Sequence, residues 1–319
     1  MQRLLPLALK VAISASLLYF ALVRVNLSIV TQRLSQIDVI WLAPVFLLLG
    51  IQVVLIALRW RCIVQVCDPS SPFSFVQAFR YSLIGSFFNQ TLPSTVGGDA
   101  MRIWLLARDG TGWKIATYSV LIDRLAGVIA LALIVVCCLP LSFDLISEPT
   151  GRIALVAVGI GSIGAGLCFL ASGFAPWPWL ETWWLTGHLV STARIARQLI
   201  TTPVALGSIG FYSITNHIVT VTAAWCLARS VGVPFEWTQA LLLIPPVFMI
   251  ATIPLSIAGW GVRESSMIIA FGYAGLPESD GLIISVLFGA AIFTVGILGG
   301  LTWIVSGGTR KLIQPGESA

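Results

Sequence analysis

The stretch TLPSTVGGDAMR, residues 91–102, places a proline, a glycine pair, an aspartate and an arginine between two hydrophobic segments. Pro93 removes a backbone donor and clashes with the preceding turn, and the Ser-Thr pair after it suits the cap of a new helix. Gly97 and Gly98 let the backbone approach a ligand or another helix closely. The stretch therefore predicts a broken helix rather than a continuous one.

The composition places this broken helix in a membrane. Of the 319 residues, 57% are hydrophobic and only 10% are charged, whereas a soluble domain carries about 25% charged residues. The chain is therefore predicted to be an all-α polytopic membrane protein with a single transmembrane domain over 1–319. About six full spans are predicted, at 4–23, 39–58, 115–140, 152–173, 203–228 and 281–305, with two broken apolar stretches at 73–106 and 236–278.

The broken stretch occurs twice. TIPLSIAGWGVR, residues 252–263, aligns without a gap to residues 91–102, and the two copies share a threonine, a proline, a glycine and the final arginine in register. Further along, Ser-Val-Leu at 119–121 aligns with Ser-Val-Leu at 285–287 after a small insertion. The alignment predicts an internal duplication, with a first half at 1–145 and a second half at 146–319.

The number of spans between the copies sets their orientation. Three predicted full spans separate the two broken segments, so the second copy enters the membrane from the opposite side and the repeat is inverted. Each broken segment is predicted to be re-entrant, because irregular backbone at membrane depth must be covered by protein or line a cavity. The segment 176–200, which is rich in tryptophan, is predicted to be an interfacial helix that links the halves.

Charge and cysteine content narrow the function classes. The basic residues behind the net charge of +5 form no basic face, which argues against nucleic acid, and they are concentrated on the N-terminal side of the predicted membrane topology. Both termini are therefore expected in the cytoplasm. The six cysteines show no metal or redox spacing, and no cofactor or metal is expected.

The candidate site lies at the two breaks. A half-helix that starts near Asp99 would direct unpaired N–H groups at a cavity, a geometry that favours an anion such as phosphate. Arg102 adds a cation one turn later, and Arg263 occupies the equivalent turn of the second copy. Alternatively, the prolines and glycines only pack helices and Arg102 extends to the membrane interface.

Asp123 and Arg124 are charged residues within a predicted span, where each needs a partner or a wet cavity. Adjacent residues of a helix point in different directions, so we expect Arg124 to face the cavity and Asp123 to pair with an arginine of a broken segment. Glu264 would balance Arg263 as Asp99 balances Arg102. A purely structural charge network remains the alternative, and His217 is interpreted as a structural residue.

Three segments together resemble a known family: 88–108, 119–127 (SVLIDRLAG) and 256–264 (SIAGWGVRE). They are similar to the flippase-like family that includes the transmembrane region of lysylphosphatidylglycerol synthases, and this chain resembles a stand-alone member without the synthase domain. The resemblance implies a protein of the bacterial or archaeal inner membrane that moves polar lipids between leaflets. It also implies a substrate site formed by Gly97, Gly98, Asp99, Arg102, Asp123, Arg124, Gly261, Arg263 and Glu264. Members often carry an arginine in the last span, which this chain lacks.

Two function classes follow, with a third that is less specific. The leading one is a lipid transporter, not an enzyme, in which Arg102 and Arg263 hold the phosphate of a headgroup. The second is a membrane enzyme, or an enzyme partner, in phospholipid or polyprenyl-glycolipid synthesis, and the third is a scaffold. The expected partners are a membrane lipid, the bilayer and lipid-synthesis enzymes, and a homo-oligomer stays open through the glycines at 296–300.

Overall fold

The computed structural model describes residues 27–92, 96–146, 148–172, 190–197, 201–253, 256 and 259–307, together with 12, 14–17, 19 and 23. The described helices are α1 (Leu27–Ser35), α2 (Leu42–Cys67), α3 (Phe75–Thr91), α4 (Gly97–Leu106), α5 (Trp113–Leu145), α6 (Pro149–Ser172), α7 (Pro203–Ser230), α8 (Trp237–Ala251), α9 (Val262–Tyr273) and α10 (Glu278–Val305). Short helical turns precede α2 at Val39–Trp41 and join α4 to α5 at Ala107–Thr111.

The all-α membrane fold is confirmed. Among the described residues, five helices are long and apolar enough to cross a membrane: Val39–Cys67, Trp113–Leu145, Pro149–Phe169, Pro203–Ser230 and Glu278–Val305. They correspond to five of the predicted spans, while most of the first predicted span, 4–23, lies outside the described residues. Of the predicted linking segment 176–200, only 190–197 is described, and it is helical.

The first broken segment folds into the hairpin α3–α4. At its tip, Asn89 Oδ1 accepts a hydrogen bond from the Gly98 N–H at 2.8 Å. At its base, Gln77 Nε2 donates to Asp109 Oδ2 at 3.2 Å. Contacts between the start of α3 and the end of α4 mean that the two helices are antiparallel. The segment therefore enters and leaves on one side, as a re-entrant hairpin must. Pro93 and the Ser-Thr pair predicted to cap α4 lie outside the described residues.

The second broken segment forms the hairpin α8–α9. The rings of Phe235, just before α8, and Phe271, near the end of α9, lie 5.0 Å apart, so these helices are also antiparallel. Gly259 and Gly261 both have positive φ, at 80° and 88°, a conformation that side chains with a Cβ rarely adopt. The glycines of the aligned motif therefore supply the turn from which α9 begins.

The two halves are related by an inverted arrangement. Helices α2 and α7 start at Leu42 and Pro203, which are as far apart in sequence as the two broken motifs. They are antiparallel: Trp41 and Trp225 have ring centroids 5.5 Å apart near one end, and Arg59 donates to Ser213 Oγ at 3.2 Å towards the other. Equivalent helices that run in opposite directions support the predicted inverted repeat.

Helix α10 is held against the hairpin of the other half by glycines. A Cβ added at Gly300 would lie 2.9 Å from the Phe87 ring, and one at Gly296 would lie 3.5 Å from the Ser86 carbonyl oxygen. Leu301 and Ile304 on the same helix are exposed, as expected for side chains that face lipid. The glycines at 296–300 thus pack within the chain. A homo-oligomer stays a prediction.

Candidate functional site

A cavity of about 380 Å³ lies between the first hairpin, α2, α5 and α7. One wall is polar and contains arginines, aspartates, two asparagines, serines and a histidine. Another part of the wall is aliphatic. The polar lining includes Arg59, Ser82, Asn89, Asp99, Arg102, Asp123, Arg124, Asn216 and His217, and the apolar lining includes Val53, Ile56, Val128 and Leu131. The cavity therefore offers one polar and one apolar surface.

Asp123 on α5 is the buried centre of the charge network. Its Oδ1 accepts a hydrogen bond from Arg59 Nε at 2.7 Å, and its Oδ2 accepts from both terminal nitrogens of Arg102 at 3.0 Å. The carboxylate is only 1% exposed and joins α2, α4 and α5. Asp123 thus pairs with an arginine of a broken segment, as expected from the sequence. Because Arg59 and Arg102 both pair with this one buried carboxylate, both depend on Asp123 for their counter-charge.

Arg102 is fitted into place by small and aromatic neighbours. Its guanidinium lies 4.1 Å from the centroid of the Trp60 ring, within cation–π distance. Gly85 on α3 leaves room for its stem, because a Cβ there would lie 3.1 Å from Arg102 Cγ. Gly98 allows the hairpin to close, because a Cβ there would lie 2.6 Å from Asn89 Cγ. The glycine of the motif therefore serves the close approach of two helices.

Asp99 and Arg124 form a second pair at the cavity wall. Arg124 Nε donates to Asp99 Oδ2 at 2.6 Å, and Asp99 Oδ1 lies 3.6 Å from Arg102 Nη1. The Arg124 side chain is 46% exposed, in contrast to 8% for Asp99 and 7% for Arg102. Arg124 thus lies in the cavity wall as predicted, and its exposed guanidinium leaves it the most accessible of these charges.

The cavity wall also holds buried polar atoms without a partner among the described residues. They are Ser82 Oγ, Arg102 Nε and Asn216 Oδ1, contributed by α3, α4 and α7. A buried polar group without a hydrogen bond costs about 1–3 kcal/mol, so these three atoms reduce the stability of the helices around the cavity. His217 Nε2 is already in contact with the Gly127 carbonyl at 2.8 Å, in keeping with a structural histidine.

The second half uses the equivalent arginine differently. Arg263 is bound by the adjacent Glu264, from Nη2 to Oε1 at 2.6 Å, and its Nε donates to Ser285 Oγ at 3.0 Å. Glu264 is completely buried and also accepts from the Gly261 N–H at 2.6 Å. None of these residues lines the cavity. The structure therefore does not bring Arg263 to the same cavity as Arg102, and a role of Gly261, Arg263 and Glu264 in substrate binding stays a prediction.

The N-termini of α4 and α9 differ from the prediction, because the glycine N–H groups there are not available to a ligand. Helix α4 begins at Gly97, slightly earlier than the predicted start near Asp99, and the Gly98 N–H is taken by Asn89. In α9 the Gly261 N–H is taken by Glu264. These N–H groups are satisfied by the chain itself because buried backbone donors are expensive to leave unpaired. The anion-binding capacity of the site thus rests on its arginine side chains.

Sequence reasoning missed Arg59 as a site residue. The predicted span stopped at residue 58 and left Arg59 outside the membrane on the side of the N-terminus, whereas α2 continues to Cys67. The available signal was the absence of proline and glycine between Arg59 and Cys67, followed by Asp68-Pro69 as the first strong stop. Asn89 and Asn216 were also missed as lining residues, and their positions relative to the cavity depend on the packing of distant helices.

Comparison with known proteins agrees with the motifs. The family described as "Lysylphosphatidylglycerol synthase TM region" matches residues 7–300. The chain belongs to this family. No curated protein and no solved structure matches it. Membership in the lysylphosphatidylglycerol synthase TM family, together with the apolar helices, identifies a multi-pass membrane protein and links it to lipid metabolism or transport.

Proposed function

We propose that the protein is a transporter that moves a polar lipid with a phosphate group between membrane leaflets. The observation that carries the proposal is Arg124, a half-exposed arginine in the wall of a cavity whose other charges are almost completely buried. A cation that lies in a cavity within the membrane-spanning helices is costly unless it pairs or meets a ligand, and such residues mark substrate pathways.

The charge of the cavity favours an anion. Arg59, Arg102 and Arg124 face Asp99 and Asp123, which leaves one positive charge when every group is ionised. A phosphodiester carries one negative charge and would neutralise that excess. Because the guanidinium fork matches phosphate oxygens, Arg124 is the group we assign to the headgroup.

The two surfaces of the cavity suit an amphiphilic substrate. The polar wall, which contains the accessible Arg124 together with Asn89 and Asn216, would take the headgroup. The aliphatic wall at Val53, Ile56, Val128 and Leu131 would accompany the beginning of the lipid tails. No group transfer is needed in this mechanism, so the proposed protein is not an enzyme.

The location belongs to the same proposal. We place the protein in the inner membrane with both termini in the cytoplasm, because the predicted distribution of basic residues follows the positive-inside rule. The base of the first hairpin, near Gln77 and Asp109, would then face the cytoplasm. The partners would be the transported lipid, the bilayer and the enzymes that make the lipid.

The test is leaflet transfer in proteoliposomes, using head-labelled phosphatidylglycerol and phosphatidylcholine as probes. Wild type is expected to transfer the anionic lipid, and Arg124→Gln to transfer it about tenfold more slowly, the loss of one charge-assisted hydrogen bond. Lys114→Gln is the matched control, since Lys114 is an exposed cation that does not line the cavity. Equal transfer by wild type and Arg124→Gln, or no transfer above protein-free liposomes, contradicts the proposal.

A further inference from the structure

A second, smaller pocket lies on the other face of the first hairpin. It has a volume of about 200 Å³ and is formed between the hairpin and the C-terminal end of α10. Its lining residues are Arg80, Tyr81, Ile84, Trp104, Leu105, Arg108, Asp109, Trp303 and Ser306. On α3, residues 80, 81 and 84 of this pocket and residues 82, 85, 86 and 89 of the cavity occupy roughly opposite faces, so the two sites are separate.

The pocket carries excess positive charge. Arg80 and Arg108 face one carboxylate, Asp109, which also receives hydrogen bonds from the Tyr81 hydroxyl and from Gln77. Asp109 therefore accepts hydrogen bonds from two side chains that are not arginines. The Nε of Arg80 is buried and has no partner among the described residues, although a terminal nitrogen of Arg80 contacts the Tyr81 hydroxyl at 3.3 Å. Two arginines against the one carboxylate among the described lining residues give the pocket a positive potential that favours an anion.

The aromatic wall locates the pocket at a membrane surface. Trp104 and Trp303 have ring centroids 5.9 Å apart, and the Arg108 guanidinium lies 5.2 Å from the Trp104 ring centroid. Trp303 and Ser306 are at the end of a membrane-spanning helix, and Arg108 lies in the turn that joins the hairpin to α5. Tryptophan and arginine together at a helix end are typical of the headgroup layer of a bilayer.

We propose that this pocket, defined by Arg80, Arg108, Trp104 and Trp303, is a second anion site that binds the phosphate of a lipid headgroup at the membrane surface. The arginines hold the phosphate oxygens, and the two indoles cover the glycerol region of the lipid. The assignment concerns binding alone and stands whether or not the larger cavity transports lipid. A free phosphate ion has the same recognition chemistry, so the experiment must separate the two sources.

The experiment is native mass spectrometry of purified, delipidated protein titrated with dioleoylphosphatidylglycerol. Wild type is expected to retain one more lipid than Arg80→Gln/Arg108→Gln, or to bind it about tenfold more tightly, as the loss of a charge-assisted hydrogen bond predicts. Arg108→Gln alone provides a second variant, because Arg108 is exposed and its replacement is expected to cost little stability. Lys114→Gln is the matched control and is expected to bind like wild type.

A second arm uses inorganic phosphate without lipid, measured by calorimetry on the same proteins. Phosphatidylglycerol binding that excess inorganic phosphate does not displace supports a lipid headgroup. Phosphate binding by wild type that the double variant loses, without lipid binding at the pocket, supports the anion site but assigns it to a soluble phosphate. Equal binding of both probes by wild type, Arg108→Gln and the double variant overturns the proposal.

Discussion

The arginines of the two hairpins, Arg102 and Arg263, are equivalent in sequence but differ in what they can do. Arg102 is bound to Asp123 on the neighbouring helix α5 and lines a cavity. Arg263 is bound to the next residue in the chain, Glu264, and lies outside the cavity. Both are 6% exposed, so burial alone does not distinguish them.

The two halves differ in the position of the carboxylate that pairs with the arginine. When Ser119 is aligned with Ser285, Asp123 aligns with Gly289. A Cβ at Gly289 would collide with the Arg263 guanidinium, and it would lie 2.9 Å from the Trp260 ring. At this position the second half has a glycine, whose missing side chain leaves room for the Arg263 guanidinium, and its acid is at position 264. The aligned motifs thus form a charge network that lines a cavity in one half and a closed ion pair in the other.

The largest loss of stability is expected from Asp123→Asn. The substitution leaves two buried arginines without their shared anion, and breaking a buried ion pair costs about 3–5 kcal/mol. The free energy of unfolding in mixed micelles with increasing sodium dodecyl sulfate measures the change. Glu148→Gln, which alters an exposed acid, is the control. A difference below 1 kcal/mol, about the value of an exposed pair, would contradict the central role of Asp123.

Glu264→Gln tests the closed pair of the second half. It leaves one buried arginine with Ser285 as its remaining hydrogen-bond partner among the described residues, so the loss of stability is expected within the same range of about 3–5 kcal/mol but below that of Asp123→Asn. Because Glu264 does not line the cavity, the lipid transfer rate of the folded protein should not change. A selective loss of transfer with full stability would place Arg263 and Glu264 in the transport site after all.

Gly289→Ala tests whether the missing side chain at position 289 is what makes room for Arg263. The added methyl group would push against Arg263 and Trp260, and overpacking costs about 1–3 kcal/mol. Gly207→Ala is the matched control: a Cβ at this helical glycine meets nothing within 4 Å, and alanine in a helix is favoured by about 0.5–1 kcal/mol. Opposite signs for the two variants in the unfolding assay would support the packing argument. A neutral Gly289→Ala would refute it.

The smallest change in stability is expected from Arg124→Gln. The Arg124 side chain is 46% exposed, and the buried Asp99 keeps Arg102 at 3.6 Å, so the loss of this pair is expected to cost about 1 kcal/mol. This variant should therefore unfold almost like wild type while it loses lipid transfer. Thermal unfolding followed by tryptophan fluorescence checks the first part. A loss of stability as large as that of Asp123→Asn would make Arg124 a structural residue.

Several features of the site could be predicted from the sequence. A charged pair inside an apolar span needs partners elsewhere. This requirement predicted that Asp123 pairs with an arginine of the hairpin and that Arg124 faces the cavity. Arg59 escaped prediction because a charge near a span end looks like the start of a loop. Asn89 and Asn216 escaped because nothing in the local pattern distinguishes an amide at a cavity from one at a helix surface.

The sequence by itself determined the membrane class, the broken helices and the duplication. These depend on local properties: the length of apolar runs, the proline and glycine at each break, and the count of spans between the copies. Only the tertiary structure decided which copy faces the cavity. That outcome depends on side chains from five helices that meet at one place. It also depends on the residue that a neighbouring helix presents to each arginine, which is Asp123 in the first half and Gly289 in the second.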